Sequence, residues 1–426
     1  MKVAIAGYGI EGAASYDYYN TPGNQVVIID QKQPSRPVPV DASLIVGGDA
    51  FTRLQGYDIV IRSPGIRPRA IVTDGRVWSA TNEFFARCPA PIIGVTGSKG
   101  KGTTSSLIAS ILKAGGHTVH LVGNIGQPAL AALPAIAADD IVVYELSSFQ
   151  LWDIEYSPHV AVVLMIEADH LDVHADFEDY INAKSLIVRQ QTVDDTVVYA
   201  ALNDHSAAIA MLSAAQPIAC QSDEGAHVHD EWFWYGEQQL CSVKQLVLPG
   251  VHNQDNACAA IDAAWQWVQD PDVIAAGLQG FSGLEHRLKL VRETGGVQYF
   301  DDSIATTPGS SIAAMRAFVQ PKVMIMGGSH KGASFDELAQ VAATSNVKHV
   351  IAIGVEADRI ETALQSQNVP VTNLGQGESM PAIVTAATEL AASGDVIVLS
   401  PACASFDMFD SYTDRGDQFI AAAKAL

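Results

Sequence analysis

The chain has 426 residues, 48% of them apolar and 17% charged, with a net charge of −22. Such a length supports two to four domains, each with its own core. The negative balance argues against nucleic acid or acidic membrane as a partner, because a phosphate surface would repel it. It leaves room for a small phosphorylated ligand held by local lysines and backbone N–H groups. Cys88, Cys220, Cys241, Cys258 and Cys403 are scattered without a CxxC pair, the usage expected of a reducing compartment without disulfides or structural zinc. The opening "MKVAIAGYGIEG" turns into a glycine loop before reaching signal-peptide length, and no run approaches 18 apolar residues. A cytoplasmic protein without membrane insertion is expected.

In chain order the pattern is strand and helix in alternation, the signature of parallel α/β sheets. The first unit opens on strand Lys2–Ala6, a glycine turn and a helical stretch, followed by "QVVIID" ending at Asp30. "YDIVIRSPGI" is a strand that breaks into a turn at Ser63, Pro64 and Gly65. Pro89 and Pro91 mark a joint near residue 90. The second unit carries buried strands in "PIIGVTG", "DIVVYELSS", "PHVAVVLMI" and "TVVYAAL". Short alternating segments that suggest hairpins follow, and then a loop feeding a helix at "LPGVHNQDNACAAIDAAWQWV". A boundary falls near residue 283. The third unit repeats the rhythm with "VQYFDDS", "KVMIMGG", "KHVIAIG" and "DVIVLSPA". The expected fold is three α/β domains, 1–90, 91–282 and 283–426, each built on a mainly parallel sheet: Rossmann-like, P-loop ATPase and Rossmann-like.

"GVTGSKGKGTTSS" has the ingredients of a phosphate cradle. Successive N–H groups, a helix N-terminus and a lysine converge on one anion. The turn comprises Gly97, Ser98, Lys99, Gly100, Lys101, Gly102, Thr103 and Thr104. It departs from the usual pattern in having Val95 where the first glycine stands and Gly102 where a metal-binding hydroxyl follows the lysine. Thr103 or Thr104 could supply that hydroxyl. Glu145 ends an apolar strand, as a magnesium carboxylate does. The next strand runs into Glu167, Asp169, His170, Asp172 and His174. His170 and His174 are spaced to share a helix face, but no HExxH glutamate supports a zinc site. Gly7, Gly9 and Gly12, with Asp30 after the second strand, pass as a dinucleotide fingerprint. By itself that fingerprint suggests an NAD-dependent oxidoreductase. Asn253 and Asn256 read as helix-start caps, and Lys184, on an amphipathic helix, reads as a surface lysine.

Taken together, "GVTGSKGKGTT", "GNIG", "ELSSFQL", "DHLDVHADFEDYINAK", "GVHNQDNACAA", "EHR", "DDSIATTP" and "SPACASFD" occur in the order seen in the Mur ligases. The chain resembles that family over its whole length, and within it the ligases that add D-glutamate. The resemblance implies an ATP- and magnesium-dependent enzyme of peptidoglycan precursor synthesis. It would join D-glutamate to UDP-N-acetylmuramoyl-L-alanine through an acyl phosphate, as a monomer acting on small molecules.

The same resemblance assigns roles. Residues Gly97 to Thr104 would cradle ATP, with Lys101 on the transferred phosphoryl group. Thr103, Glu145, His170 and a carbamylated Lys184 would hold two magnesium ions. Asn253 and Asn256 would contact the adenine side, and Arg287 and Asp302 would reach ATP from the third domain. Gly7, Gly9, Gly12, Asp30, Ser63, Pro64, Gly65 and Ile66 would receive the uridine diphosphate, and Asn124 and Gln150 the muramoyl part. Thr306, Lys331, Ser405 and Tyr412 would bind the amino acid. Gly102 is similar to the "GKG" turn of folylpolyglutamate synthases. Ile304 stands where the family has a lysine, and Lys289 where it has an acid. Losing a cation beside developing negative charge would cost a few kcal/mol, so L-glutamate is the alternative substrate, with Lys289 a candidate replacement for the missing charge.

Overall fold

The computed structural model describes residues 1–34, 36–171, 173–248, 250–329 and 334–426. The chain divides into two compact units, Met1–Ser282 and Gly283–Leu426.

The first unit begins with β1 (Lys2–Ala6), α1 (Ile10–Tyr19), β2 (Gln25–Asp30), β3 (Ser43–Val46), β4 (Ile59–Arg62), β5 (Arg76–Ser79) and α2 (Ala80–Arg87). Among the described residues these strands form one parallel sheet in the order β3-β2-β1-β4-β5. Order reverses beside β1, so the glycine turn after β1 and the Ser63–Gly65 turn after β4 meet at the switch point, where parallel sheets take their ligands.

Next come β6 (Ile92–Thr96), α3 (Lys101–Ala114), β7 (Val119–Gly123), α4 (Ala129–Ala132), β8 (Ile141–Glu145), α5 (Ser148–Leu151), β9 (Val160–Val163), α6 (Phe177–Ser185), β10 (Thr196–Ala200), α7 (Asp204–Ala210) and β11 (Gln216–Cys220). Their strands pair in parallel in the order β11-β10-β9-β6-β8-β7. β6, β8 and β9 are buried at every position. That is why they read as continuous apolar runs rather than as alternation: helices cover both faces of a parallel sheet. The two faces belong to separate cores, Val95 and Val162 facing α3 and α8, Tyr144 and Val163 facing the α6 side. An antiparallel meander, β12 (Ala226–His229), β13 (Trp232–Tyr235) and β14 (Gln238–Ser242), then leads into α8 (Val251–Ala264) and α9 (Pro271–Gln279).

The second unit contains β15 (Lys289–Thr294), β16 (Val297–Asp301), α10 (Pro308–Ala317), β17 (Lys322–Gly327), α11 (Asp336–Thr344), β18 (Val347–Ile353), α12 (Ala357–Ser366), β19 (Val371–Gly375), α13 (Met380–Leu390), β20 (Val396–Leu399) and α14 (Tyr412–Ala425). The sheet order is β15-β16-β20-β17-β18-β19, parallel except for β15 against β16. No helix among the described residues is long and apolar enough to cross a membrane.

Candidate functional site

The loop between β6 and α3 is shaped by two glycines. Gly97 lies at φ +152° and Gly100, the N-cap of α3, at φ +83°. A Cβ at 97 would stand 2.7 Å from Leu164 Cβ, and one at 100 would stand 2.3 Å from Asn256 Oδ1. Only glycine fits both the dihedral and the space. Ser98 then fastens the loop to the segment after β9: its N–H donates to Met165 O at 2.8 Å, and its hydroxyl accepts from Glu167 N at 2.9 Å. Tyr180 OH of α6 lies 2.9 Å from the same oxygen. Lys101 curls back so that Nζ donates to Gly97 O (3.0 Å) and Ser98 O (3.1 Å). Of the two candidate hydroxyls, Thr104 is wholly buried and donates to Asn256 Oδ1 at 3.3 Å. Thr103, in the first turn of the same helix, keeps access to solvent.

Glu145 closes β8, 2% exposed, beside β6. Asn124, after β7, donates its backbone N–H to Glu145 O at 3.2 Å, which brings "GNIG" to the same strand end. Lys184 is no surface lysine. It is 1% exposed, and Nζ donates to Gly97 O (2.8 Å) and Thr96 Oγ1 (3.3 Å). Lys101 and Lys184 therefore share one carbonyl. Burial first, and then the charge of Lys101, holds the Lys184 amine well below the ordinary lysine range, against the opposing pull of Glu145 and Asp169.

His170 and His174 do not share a helix face, because among the described residues of 164–176 no helix forms. His170 sits in the left-handed region at φ +54° with its side chain 47% exposed. His174 is buried between Asp179 Oδ2 on Nδ1 and Ser148 Oγ on Nε2, both at 2.9 Å. It ties the start of α5 to α6 and holds the helix that carries Lys184. Asp169 accepts Lys99 Nζ at 3.1 Å. Burial would raise the Asp169 carboxyl, but this hydrogen bond and the neighbouring imidazole hold it below its usual value. Asp172 lies outside the described residues.

Beside the loop is a cavity of about 220 Å³ lined by Lys99, Gly100, Tyr199, Cys220, His252 and Asn256, among others. Of the two asparagines in the first turns of α8, Asn256 lines it and Asn253 does not, and neither caps that helix; the N-cap is Gly250, without a side-chain cap. Asn256 Nδ2 donates to Asn253 Oδ1 at 3.2 Å, so the pair is braced together.

At the first sheet, Gly7 takes φ +85°, where a Cβ would meet Ile66 Cδ1 and Ser63 at 3.0 Å. Gly12 passes so close to Gly7 O that a Cβ would stand 2.1 Å away, whereas Gly9, the N-cap of α1, faces open space. Ser63 Oγ donates to Gly7 O at 2.8 Å, and Asp30 Oδ2 accepts from Tyr8 N at 2.9 Å. Both predicted turns are thus locked together. The clasp behind them is Arg62, fully buried, which donates to Ser63 O, Pro64 O and Ile66 O and pairs with Asp153. Gln150 is buried too. Its Oε1 accepts from Ser147 N in a capping box and its Nε2 donates to Glu11 Oε1 at 2.5 Å, so it forms the wall behind the site rather than its surface.

In the second unit, Asp302 accepts from Ser400 Oγ (2.7 Å) and Leu288 N (3.2 Å), and burial pushes its carboxyl up to about 7. Arg287 is exposed one residue after His286, whose Nδ1 lies 2.6 Å from Asp301 Oδ2. Ser405 is buried, Thr306 half-buried and Tyr412 exposed at the start of α14. Buried Arg415 joins their loops by donating to Ser303 Oγ, Ser303 O and Cys403 O. Lys289 is paired with Glu285 at 2.6 Å and belongs to an edge strand, so it is no spare cation for the position of Ile304. Lys331 lies outside the described residues. Glu11, Arg62, Tyr180 and Arg415 escaped the sequence reading; each is a lone residue with a partner far away in the chain, Gln150, Asp153, Ser98 and Ser303 respectively.

Residues 95–264 match the family description "Mur ligase middle domain" and residues 286–403 match "Mur ligase, glutamate ligase domain". Over an alignment of 455 positions the chain is 34% identical to a UDP-N-acetylmuramoylalanine–D-glutamate ligase of Clostridium tetani, covering 100% of this chain and 97% of that one. It is 35% identical to the enzyme of the same name from Acetivibrio thermocellus, covering 98% and 95%. Among solved structures, UDP-N-acetylmuramate–alanine ligase from Thermotoga maritima superposes with a TM-score of 0.61 at 17% identity, covering 100% and 99%. MurF from Acinetobacter baumannii gives 0.62 at 18%, covering 93% and 85%. These two share the fold. The chain belongs to the Mur ligase family.

Proposed function

We propose that the protein is an ATP-dependent ligase that joins D-glutamate to UDP-N-acetylmuramoyl-L-alanine, forming a carbon–nitrogen bond in peptidoglycan precursor synthesis. One observation carries the reading: the phosphate loop, Glu145 and the buried Lys184 amine converge at the carboxyl ends of β6 and β8, in a chain that aligns end to end with ligases of that name. The domain limits 1–90, 91–282 and 283–426 remain our division of the chain, with D-glutamate assigned to the third part.

In this reading the Gly97–Thr104 backbone holds the phosphates, and Lys101 leaves its two carbonyls to meet the transferred phosphoryl group. Asn256 in the cavity beside Gly100, with Asn253 braced against it, orients the adenine side. Gly7 to Gly12, Asp30 and Ser63 to Ile66 hold the uridine diphosphate, with Asn124 near the acyl end. Arg287 and Asp302 serve ATP; Thr306, Lys331, Ser405 and Tyr412 serve glutamate.

Thr103, Glu145, His170 and Lys184 would hold magnesium. The donor set fits: a carboxylate at a strand end, an accessible imidazole and hydroxyl, and an amine whose burial favours the neutral form, the form that adds carbon dioxide to become an anionic carbamate. Held by these residues, magnesium would supply charge neutralisation for the transferred phosphoryl group. The substrate carboxylate takes the phosphoryl group, and the amine of glutamate then displaces phosphate from the acyl carbon. The oxidoreductase reading of the glycine fingerprint and the folylpolyglutamate reading of Gly102 give way to the full-length relatives. The test is phosphate release with ATP, magnesium and UDP-N-acetylmuramoyl-L-alanine, comparing D- with L-glutamate. Turnover with D-glutamate supports the proposal; turnover with L-glutamate alone moves the specificity and makes Ile304 the place to look.

A further inference from the structure

Glu11 is the second residue of α1, directly after the glycine turn. Its Oε1 accepts the Gln150 Nε2 hydrogen bond at 2.5 Å; Gln150 is wholly buried and Glu11 half-buried, so the contact is partly shielded from water. The other end of that amide accepts from Ser147 N (2.9 Å) and Ser147 Oγ (3.0 Å), two residues beyond Glu145. A chain of hydrogen bonds thus runs from the first turn of α1 to the turn that follows the metal carboxylate. We propose that Glu11 is a proton-linked positioning residue: its carboxyl takes up a proton when the diphosphate of the sugar nucleotide docks on the Gly7–Gly12 turn. The inference rests on the sugar-nucleotide reading of that turn.

The reason is electrostatic. A diphosphate at the N-terminus of α1 brings two negative charges beside a carboxylate already short of water, and like charges close together favour the protonated acid. Protonation keeps an acceptor for Gln150 while removing the repulsion. Few groups oppose it. The Gln150 hydrogen bond favours the carboxylate, and after it Arg62 of β4, but the Arg62 guanidinium is matched by Asp153 and held by three carbonyls of the Ser63–Ile66 turn. Tyr144 of β8 is a phenol that burial keeps neutral, and α4, packed on α1, carries no charged residue. Burial has already pushed the Glu11 carboxyl up to about 7, so near neutral pH both forms are populated and a proton can be exchanged.

The experiment is calorimetric titration of the full chain with UDP-N-acetylmuramoyl-L-alanine, without ATP, in pairs of buffers of different ionisation enthalpy from pH 6 to 9. The wild type should take up a fraction of a proton on binding, with affinity falling by up to about tenfold per pH unit above 7. Glu11→Gln keeps an acceptor for Gln150 and should show neither proton uptake nor the pH slope. Glu11→Asp should keep some uptake. Wild-type binding without proton uptake, or equal uptake in Glu11→Gln, overturns the proposal. Absence of wild-type binding sinks the sugar-nucleotide reading itself, and this inference with it.

Discussion

Replacing Gly100 by alanine tests whether the phosphate loop is shaped as described. The new Cβ enters at φ +83°, which costs an L-residue about 1–2 kcal/mol. It also arrives 2.3 Å from Asn256 Oδ1, the end of a side chain that can rotate away. Rotation surrenders the Thr104–Asn256 hydrogen bond and leaves a hydroxyl with 0% exposure short of a partner, about another 1–2 kcal/mol. The sum is about 3 kcal/mol, or a fall of roughly 5 °C in melting temperature for a unit as large as Met1–Ser282. Because Asn256 lines the cavity beside the loop, the ATP KM should rise as well. Gly116→Ala is the control: φ is +85° but nothing lies within 4 Å of its Cβ, so it isolates the backbone cost. Calorimetry and ATP titration of both variants decide the matter. If Gly100→Ala melts like Gly116→Ala and keeps its ATP KM, the Asn256 contact does not shape the loop.

Lys184→Met should abolish turnover while shifting the melting temperature by only a few degrees, since an apolar chain of similar length replaces a desolvated amine and loses two hydrogen bonds; normal turnover would refute the role given to Lys184. Arg62→Ala should cost at least about 3 kcal/mol in urea denaturation, because it frees several carbonyls and leaves Asp153 unpaired. Asp302 predicts a pH dependence of stability. Its carboxyl stays protonated to about 7 when folded but ionises near 3.8 when unfolded, so its contribution is full below about pH 4 and is lost as pH rises to 7. The upper bound is about 4 kcal/mol. Asp302→Asn should therefore stabilise the chain relative to wild type at pH 8 and lose that advantage by pH 4, as read by denaturation at both pH values.

What the sequence determined by itself was local. β6, β8 and β9 were legible because both faces are buried and every residue but the terminal Glu145 of β8 is apolar or small. The phosphate loop was legible because its chemistry resides in consecutive residues, glycines, lysines and the start of a helix. The short β3 and β19, exposed or half-buried along their length, gave no such run and escaped notice. Lys184 marks the limit from the residue's side: on helix periodicity it is a surface lysine, and only the Gly97 carbonyl, 87 residues away, makes it a buried amine. The same holds for Arg415, 112 residues from Ser303, and for Glu11, 139 from Gln150. Their roles depend on burial and on one distant partner, and neither quantity is written in any local pattern. Tertiary packing decided them, because desolvation makes a lone charged side chain either find a partner or change its protonation.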